Sequence, residues 1–255
     1  MQTKRAGKTA LFFNLSYFML VVIPYYAPGS QGRELEMAIA GWRKHCKSDY
    51  HIVVVGETDP NIIANDVSFV YSKRVDDIEG SYRPHLDYVS CLRKVHEVYP
   101  EEKGMVFAAD DNYAVNDFDE TWIRKLHYLT DVPFEGAVDG WPIEKFFTRC
   151  KLEDLGLPTR NWTTHIPCWF DFDKLMDMFD RYEMDKQSFV LEDMYFNTYH
   201  AGDEAELDAP YKFFLSKPED VVDIEAAMRQ RIWICNTVEG WSKELENKLL
   251  SYYKL

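Results

Sequence analysis

The sequence predicts an α/β domain whose mainly parallel central sheet is flanked by helices and followed by helical C-terminal additions. Three observations lead to this class. Short, almost wholly apolar runs recur through the first half of the chain, as expected of strands buried on both faces. Stretches with apolar residues at helical spacing lie between these runs. Strands that alternate with helices form parallel sheets with right-handed crossovers.

The predicted elements follow in chain order. Apolar runs predict strands at 18–24, 51–55, 67–71 and 105–109, and weaker patterns predict strands at 136–140 and 163–169. Helical spacing predicts helices at 33–46, 84–99, 119–129, 171–182, 192–200, 219–236 and 241–253. Residues 142–160 are mixed and polar and predict no single element. No repeat or linker interrupts the pattern, so we expect one domain over residues 1–255.

Composition limits the functional classes. With 255 residues, of which 46% are hydrophobic, the chain can form one sizeable packed core. The net charge of −14 disfavours nucleic acid as a partner, because an acidic surface repels phosphate backbones. A bound cation can reverse the local electric field, so the negative net charge is compatible with a nucleotide ligand. None of the five cysteines forms a C-x-x-C pair, which predicts free thiols in the cytoplasm.

The N-terminal segment superficially resembles a signal peptide. Lys4, Arg5 and Lys8 precede an apolar run over 10–23, but no small-residue cleavage site follows it. The run is short for a bilayer span. We interpret residues 1–17 as an extension that allows peripheral contact with the inner face of a membrane, with Met19 as an alternative start.

Acidic residues directly follow the predicted strand 105–109. The triplet is Asp110-Asp111-Asn112, and ligands of parallel α/β sheets bind at the carboxyl ends of the strands. Adjacent carboxylates repel each other, and a hard divalent cation offsets that repulsion and can also bridge phosphate oxygens. The alternative is an ordinary turn capped by Asp or Asn.

With this order of elements, the triplet resembles the nucleotide-sugar glycosyltransferases of the GT-A, Rossmann-like fold, over roughly residues 18 to 200. Their signature is an Asp-x-Asp motif after the fourth strand that holds Mn²⁺ or Mg²⁺ on the nucleotide diphosphate. Ala109-Asp110-Asp111 or Asp110-Asp111-Asn112 occupies that place here, and neither is a full Asp-x-Asp. The resemblance implies that Asp110, Asp111 and Asn112 bind the metal, with His200 as a further ligand.

The resemblance divides the chain into a nucleotide-binding half at 18–112, an acceptor half at 113–215 and a helical tail at 216–255. It implies a nucleotide diphosphate sugar as donor, with a UDP-sugar favoured. The acceptor would be a glycan or a lipid-linked saccharide, in a setting such as bacterial polysaccharide biosynthesis.

The resemblance also implies a set of nucleotide-sugar-binding residues. They are Pro24, Tyr25 and Tyr26 after the first strand, Glu57 after the second, Arg83 and Asp87 at a helix start, Asp110, and the strand-end pair Asp139 and Trp141. Several of these have alternative interpretations. Residues 24–26 and 57–59 also fit ordinary loops, Arg83 and Asp87 a surface salt bridge, and Trp141 the core.

A second acidic pair, Glu192-Asp193, resembles the motif near the acceptor site of inverting members. One carboxylate there removes the proton of the acceptor hydroxyl, and we assign this role to Asp193 with Glu192 as its alternate. A pair that complements a helix dipole is the alternative. His165 is a further candidate for metal or acceptor contact, although a lone histidine is more often structural.

The resulting hypothesis is a metal-dependent, inverting glycosyltransferase. A sugar nucleotidyltransferase is an alternative, but residues 24–32 lack the dense basic cluster of its glycine-rich loop. A non-catalytic relative that binds nucleotide or glycan is a third reading, kept open by the incomplete Asp-x-Asp. The sequence contains no P-loop, dinucleotide-binding or serine-hydrolase motif.

Overall fold

The computed structural model describes residues 19–26, 33–76, 83–125, 129–133, 143–162, 167–203, 211–214, 224–236 and 243–255. The predicted strand at 136–140 and the N-terminal extension lie outside these ranges. So do Asp139, Trp141 and His165, and of Arg83 only the backbone is described.

The described strands are β1 (Met19–Pro24), β2 (Tyr50–Gly56), β3 (Val67–Tyr71), β4 (Gly104–Phe107), β5 (Asn112–Ala114), β6 (Leu129–Pro133), β7 (Arg160–Trp162), β8 (Cys168–Asp171), β9 (Tyr211–Phe214) and β10 (Trp233–Asn236). The described helices are α1 (Glu34–His45), α2 (Arg83–Val98), α3 (Glu120–Arg124), α4 (Ile143–Asp154), α5 (Phe172–Arg181), α6 (Leu191–Tyr199), α7 (Ile224–Gln230) and α8 (Lys243–Tyr253).

The central sheet has five strands in the order β3-β2-β1-β4-β8. The first four strands run parallel and β8 pairs antiparallel with β4. This confirms the predicted α/β class with a mainly parallel sheet. Leu20 to Ile23 of β1 and Ile52 to Val55 of β2 are completely buried, which explains why both strands are continuous apolar runs.

Helices cover both faces of this sheet. Alternate residues of β1 enter two clusters, with Val21 packing beside Trp42 of α1 and Leu20 packing with the apolar face of α2. The predicted face of α2 is confirmed, because Leu86, Val89, Leu92 and Val95 are all buried. α5 and α6 complete the cluster on the α2 side.

The prediction of a wholly helical C-terminal tail was wrong. The helix predicted over 219–236 is the short α7 followed by β10, which pairs with β9 and β5 in a second, three-stranded sheet. Trp233 and Ile234 of β10 are completely buried. A short apolar run fits a buried strand and a buried helix segment equally well, which is why periodicity misassigned this one.

Two further predictions need correction. The helix predicted over 119–129 ends at Arg124, and strand β6 begins at Leu129. Residues 142–160, for which no element was predicted, contain the 12-residue helix α4. No helix among the described residues is long and apolar enough to cross a membrane.

Candidate functional site

The carboxyl ends of the four parallel strands meet at one edge of the sheet. Backbone hydrogen bonds join neighbouring strand ends at this edge. Tyr25 N–H donates to Val55 O (2.8 Å), Ser72 N–H to Gly56 O (2.9 Å) and Ala108 N–H to Val22 O (3.0 Å). The strand order reverses between β1 and β4, and open α/β sheets bind ligands at such a switch point. Residues 24–26 and 108–111 leave the sheet at that point.

Gly56 permits a close approach between the ends of β1 and β2. A Cβ atom at this position would lie 2.2 Å from the carbonyl oxygen of Tyr25, which is a backbone atom and cannot swing aside. The absence of a side chain therefore allows the segment Pro24-Tyr25-Tyr26 to run across the end of β2. Glu57 follows directly and is exposed at the same edge.

Two of the predicted nucleotide-binding residues, Tyr26 and Asp87, are brought together by Arg74. The guanidinium carbon of Arg74 lies 3.3 Å from the centroid of the Tyr26 ring, and its Nε donates to Asp87 Oδ2 at 2.9 Å. Val75 N–H donates to the other carboxylate oxygen of Asp87 at 2.8 Å. Arg74 and Asp87 are each only 17% exposed, whereas Tyr26 is 42% exposed.

Sequence reasoning missed Arg74 and predicted Arg83 as the basic residue here. Arg74 lies in a polar loop, where an arginine carries no distinguishing signal. The structure shows a planar cation held between an aromatic ring and a carboxylate, a geometry suited to stacking and to donating hydrogen bonds to anionic groups.

Asp110 and Asp111 lie in a tight turn between β4 and β5. The turn is closed by Asn112, whose N–H donates to Ala109 O (3.2 Å) and whose Oδ1 accepts from Ala109 N–H (3.0 Å). Asn112 Nδ2 donates to Asp111 Oδ1 at 3.2 Å, and the residue is completely buried. Asn112, predicted as a metal ligand, is thus placed to support the turn and to orient Asp111.

A third carboxylate accompanies the pair. Glu34, in the first turn of α1, is only 7% exposed, and its charge acts on both aspartates. Burial and then the charge of Glu34 raise the pKa of Asp110 to about 7. Burial and the charge of Asp110 raise the pKa of Asp111 well above its usual value. Sequence reasoning missed Glu34, because an acidic residue in a first helical turn is commonplace.

The chemistry of these residues fits a hard divalent cation. All three offer carboxylate oxygens, and their mutual repulsion is of the kind that such a cation relieves. Among the described residues, no three His, Cys, Asp or Glu side chains stand in an arrangement that holds a metal by itself. Mg²⁺ is commonly bound by one or two carboxylates together with substrate phosphates, so a cation here would need further ligands from a bound molecule.

His200 does not join this group. It caps the end of α6, and its Nδ1 hydrogen-bonds to Asp203 Oδ2 at 2.8 Å. Its ring lies against Tyr195 and Phe196, with centroid distances of 5.6 and 5.8 Å. In the described part of the chain, the prediction that His200 completes a metal site with Asp110 and Asp111 finds no support.

Asp193 has a structural partner. It is completely buried in α6, and its Oδ1 accepts a hydrogen bond of 2.8 Å from Trp162 N–H in β7. One turn on, the Asn197 side chain accepts from Arg160 N–H (3.0 Å) and donates to Arg160 O (2.8 Å). Asp193 thus joins α6 to β7, a structural role that the predicted assignment as the catalytic base did not include.

Glu192, in contrast, is connected with the edge of the sheet that carries the acidic pair. Its charge contributes to the raised pKa of the Cys168 thiol, which burial mainly determines. Cys168 pairs with Phe107, the last residue of β4, three positions before Asp110. Glu192 is 6% exposed, whereas Asp193 is completely buried.

No family model and no curated protein matches this sequence. The functional assignment therefore depends on the residues at this edge of the sheet.

Proposed function

We propose that this chain is a metal-dependent glycosyltransferase of the GT-A fold that transfers a monosaccharide from a nucleotide diphosphate sugar to a hydroxyl acceptor with inversion. The observation that carries the proposal is the grouping of Glu34, Asp110 and Asp111 at the switch point of the sheet. A UDP-sugar is the proposed donor, and a glycan or a lipid-linked saccharide is the proposed acceptor.

The donor would extend along the carboxyl edge of the sheet. Tyr26 and Arg74 offer a stacking surface and a cation for the nucleoside end, next to the exposed Glu57. The acidic pair lies at the β4 end, where the diphosphate would meet it. Mn²⁺ or Mg²⁺ bound there supplies neutralising charge for the diphosphate oxygens. Arg74 adds a fixed cation, which helps because the chain as a whole is strongly acidic.

The proposed transfer is a single displacement. The acceptor oxygen forms a bond to the anomeric carbon while the bond from that carbon to the diphosphate oxygen breaks. The electron pair leaves with the diphosphate, and the hydroxyl proton passes to a carboxylate. We assign the proton-accepting role to Glu192, because Asp193 is completely buried and already holds Trp162 N–H. Asp193 positions the helix that carries Glu192.

Calorimetric titration with UDP-, GDP-, dTDP- and CMP-sugars, each with Mn²⁺ or with EDTA, tests the donor site. We expect one nucleotide to bind only with metal, and we expect Asp111→Asn to remove that binding. Asp185→Asn is the matched control, since Asp185 is exposed at a distant turn. Metal-independent nucleotide binding that Asp111→Asn leaves unchanged would contradict the metal role and favour a non-catalytic nucleotide binder.

A pair of arginine variants tests the nucleoside end. Arg74→Ala should weaken donor binding about tenfold or more, since it removes both a stacking partner and a charge. Arg93→Ala is the control, because Arg93 also pairs with an aspartate, Asp180, at 2.7 Å but lies on another part of the surface. Equal donor affinities in the two variants would contradict a role for Arg74 in donor binding.

The proton-transfer role is tested by release of the nucleoside diphosphate in the presence of acceptor. Glu192→Gln should lower kcat about a hundredfold or more while donor affinity stays unchanged. Unchanged kcat in Glu192→Gln would refute the assignment.

A further inference from the structure

A cavity of about 750 Å³ lies between the outer face of α1, the loop that follows β2 and the end of α8. Its lining residues are Glu36, Ile39, Ala40, Arg43, Lys44, Pro60, Asn61, Ile62, Tyr252, Tyr253, Lys254 and Leu255. None of the residues that we place in the donor site lines it. Its volume lies within the range of small-molecule sites.

The cavity and the donor site lie on different faces of α1. Positions 36, 39, 40, 43 and 44 recur at helical spacing and share one face of α1. Glu34, which meets the acidic pair, is two residues before Glu36 and therefore points to a different side. The cavity is thus a second feature that the transfer reaction does not use.

Two of the charged lining residues are already neutralised. Arg43 donates from Nε to Asp66 Oδ2 (2.7 Å) and from Nη2 to Asp66 Oδ1 (2.8 Å). Glu36 accepts from Arg33 Nε at 2.6 Å. The other charged side chains that line the cavity are Lys44 and Lys254.

These two amines are close enough to affect each other. Partial burial and then the charge of Lys254 lower the pKa of Lys44. Lys44 Nζ donates to the carbonyl oxygen of Tyr252 at 2.8 Å and lies 3.4 Å from the centroid of that ring. Within the described ranges, neither lysine forms an ion pair with a carboxylate. Two neighbouring ammonium groups favour an anionic ligand.

The backbone fixes Lys254 at the rim of the cavity. Its φ of +62° is in the left-handed region, which is unfavourable for a residue that carries a Cβ atom. The conformation ends α8 with a hydrogen bond from Leu255 N–H to Leu250 O at 3.0 Å. Glycine is the usual residue at such a helix end. A lysine here places a cation beside the cavity.

We propose that this cavity binds a phosphate ester, whose phosphate contacts Lys44 and Lys254 and whose apolar body packs on the apolar wall of the cavity. That wall is formed by Ile39, Pro60 and Ile62. The ester is either a free metabolite or the headgroup of an acidic lipid, and both present the same phosphate chemistry.

Titration calorimetry at low ionic strength with hexyl phosphate and with inorganic phosphate tests the proposal. Hexyl phosphate should bind about tenfold tighter or more, because the apolar wall takes up part of the hexyl chain. Lys254→Gln and Lys44→Gln should each weaken hexyl phosphate binding about fivefold to tenfold. Lys94→Gln, an exposed lysine on α2, is the matched control. Absence of hexyl phosphate binding, or equal binding in all three variants, would overturn the proposal.

Flotation with phosphatidylcholine vesicles that contain phosphatidate separates the two sources. If the protein binds the vesicles and both lysine variants lose this binding, the ligand is a lipid headgroup. If the protein binds hexyl phosphate but not the vesicles, the ligand is a free ester. Vesicle binding that the lysine variants retain would contradict the headgroup source. Metal-dependent nucleotide-sugar binding should be unchanged in Lys254→Gln, so failure at either site leaves the other proposal intact.

Discussion

Replacing Asp110 with asparagine should stabilise the metal-free protein while removing its response to metal. Burial and the nearby charge of Glu34 raise the pKa of Asp110 from 3.8 to about 7. At 1.36 kcal/mol per pH unit, this rise corresponds to about 4 kcal/mol. Because Asp110 retains partial contact with water, we expect about half of this value, ~2 kcal/mol, for Asp110→Asn at pH 8.

The sign follows from the raised pKa. Above pH 7 the carboxyl group is charged in both the folded and the unfolded chain, and the folded state carries the full cost of the buried charge. As the pH falls towards 4, the folded carboxyl group takes up a proton and that cost disappears. The advantage of Asp110→Asn should therefore be largest at pH 8 and vanish near pH 4.

Urea denaturation in EDTA at a series of pH values measures this difference, with Asp185→Asn as the control for loss of an exposed aspartate. A repeat with Mn²⁺ should reverse the order of stability, because the cation stabilises only the protein that retains the carboxylate. If Asp110→Asn is no more stable than the wild type at pH 8, or is stabilised equally at pH 4 and pH 8, the electrostatic reasoning is refuted.

Three further perturbations test the scaffold. Gly56→Ala should destabilise the fold by about 1–3 kcal/mol and weaken donor binding, since the new Cβ meets Tyr25 O at 2.2 Å; urea denaturation and calorimetry measure both. Asp193→Ala should cost about 2–3 kcal/mol by leaving Trp162 N–H without this acceptor, and an unchanged urea midpoint would contradict the anchor role. Burial lowers the pKa of His45, so the unfolded chain takes up this proton more readily and stability falls as the pH drops below 6.5. His45→Gln should lose less stability than the wild type between pH 7 and 5.5, as measured by urea denaturation.

Much of the fold was predictable because local patterns determine it. β1, β2 and β3 are continuous apolar runs, and a strand covered by helices on both faces has few polar positions. α1 and α2 show helical spacing of apolar residues because each helix buries one face against the sheet. The position of Asp110 was predictable as well, since residues that follow a buried parallel strand lie at the ligand edge of the sheet. These features depend on neighbours along the chain.

The second sheet and the contacts within the site depended on neighbours in space. β10 is buried by pairing with β5, about 120 residues earlier, and no local pattern separates such a short strand from a helix. Arg74 becomes notable only when the ends of β1 and β3 and the start of α2 place Tyr26 and Asp87 around it.

The acidic residues show the same division. The sequence by itself determined that Asp110 and Asp111 follow a buried strand, because a buried strand is an apolar run. Only the tertiary structure brought Glu34 close to them and placed Glu192 and Asp193 in different surroundings. It also brought the Trp162 N–H within hydrogen-bonding distance of Asp193. Charge interactions and hydrogen bonds depend on distance in space, which chain folding sets and residue spacing alone does not.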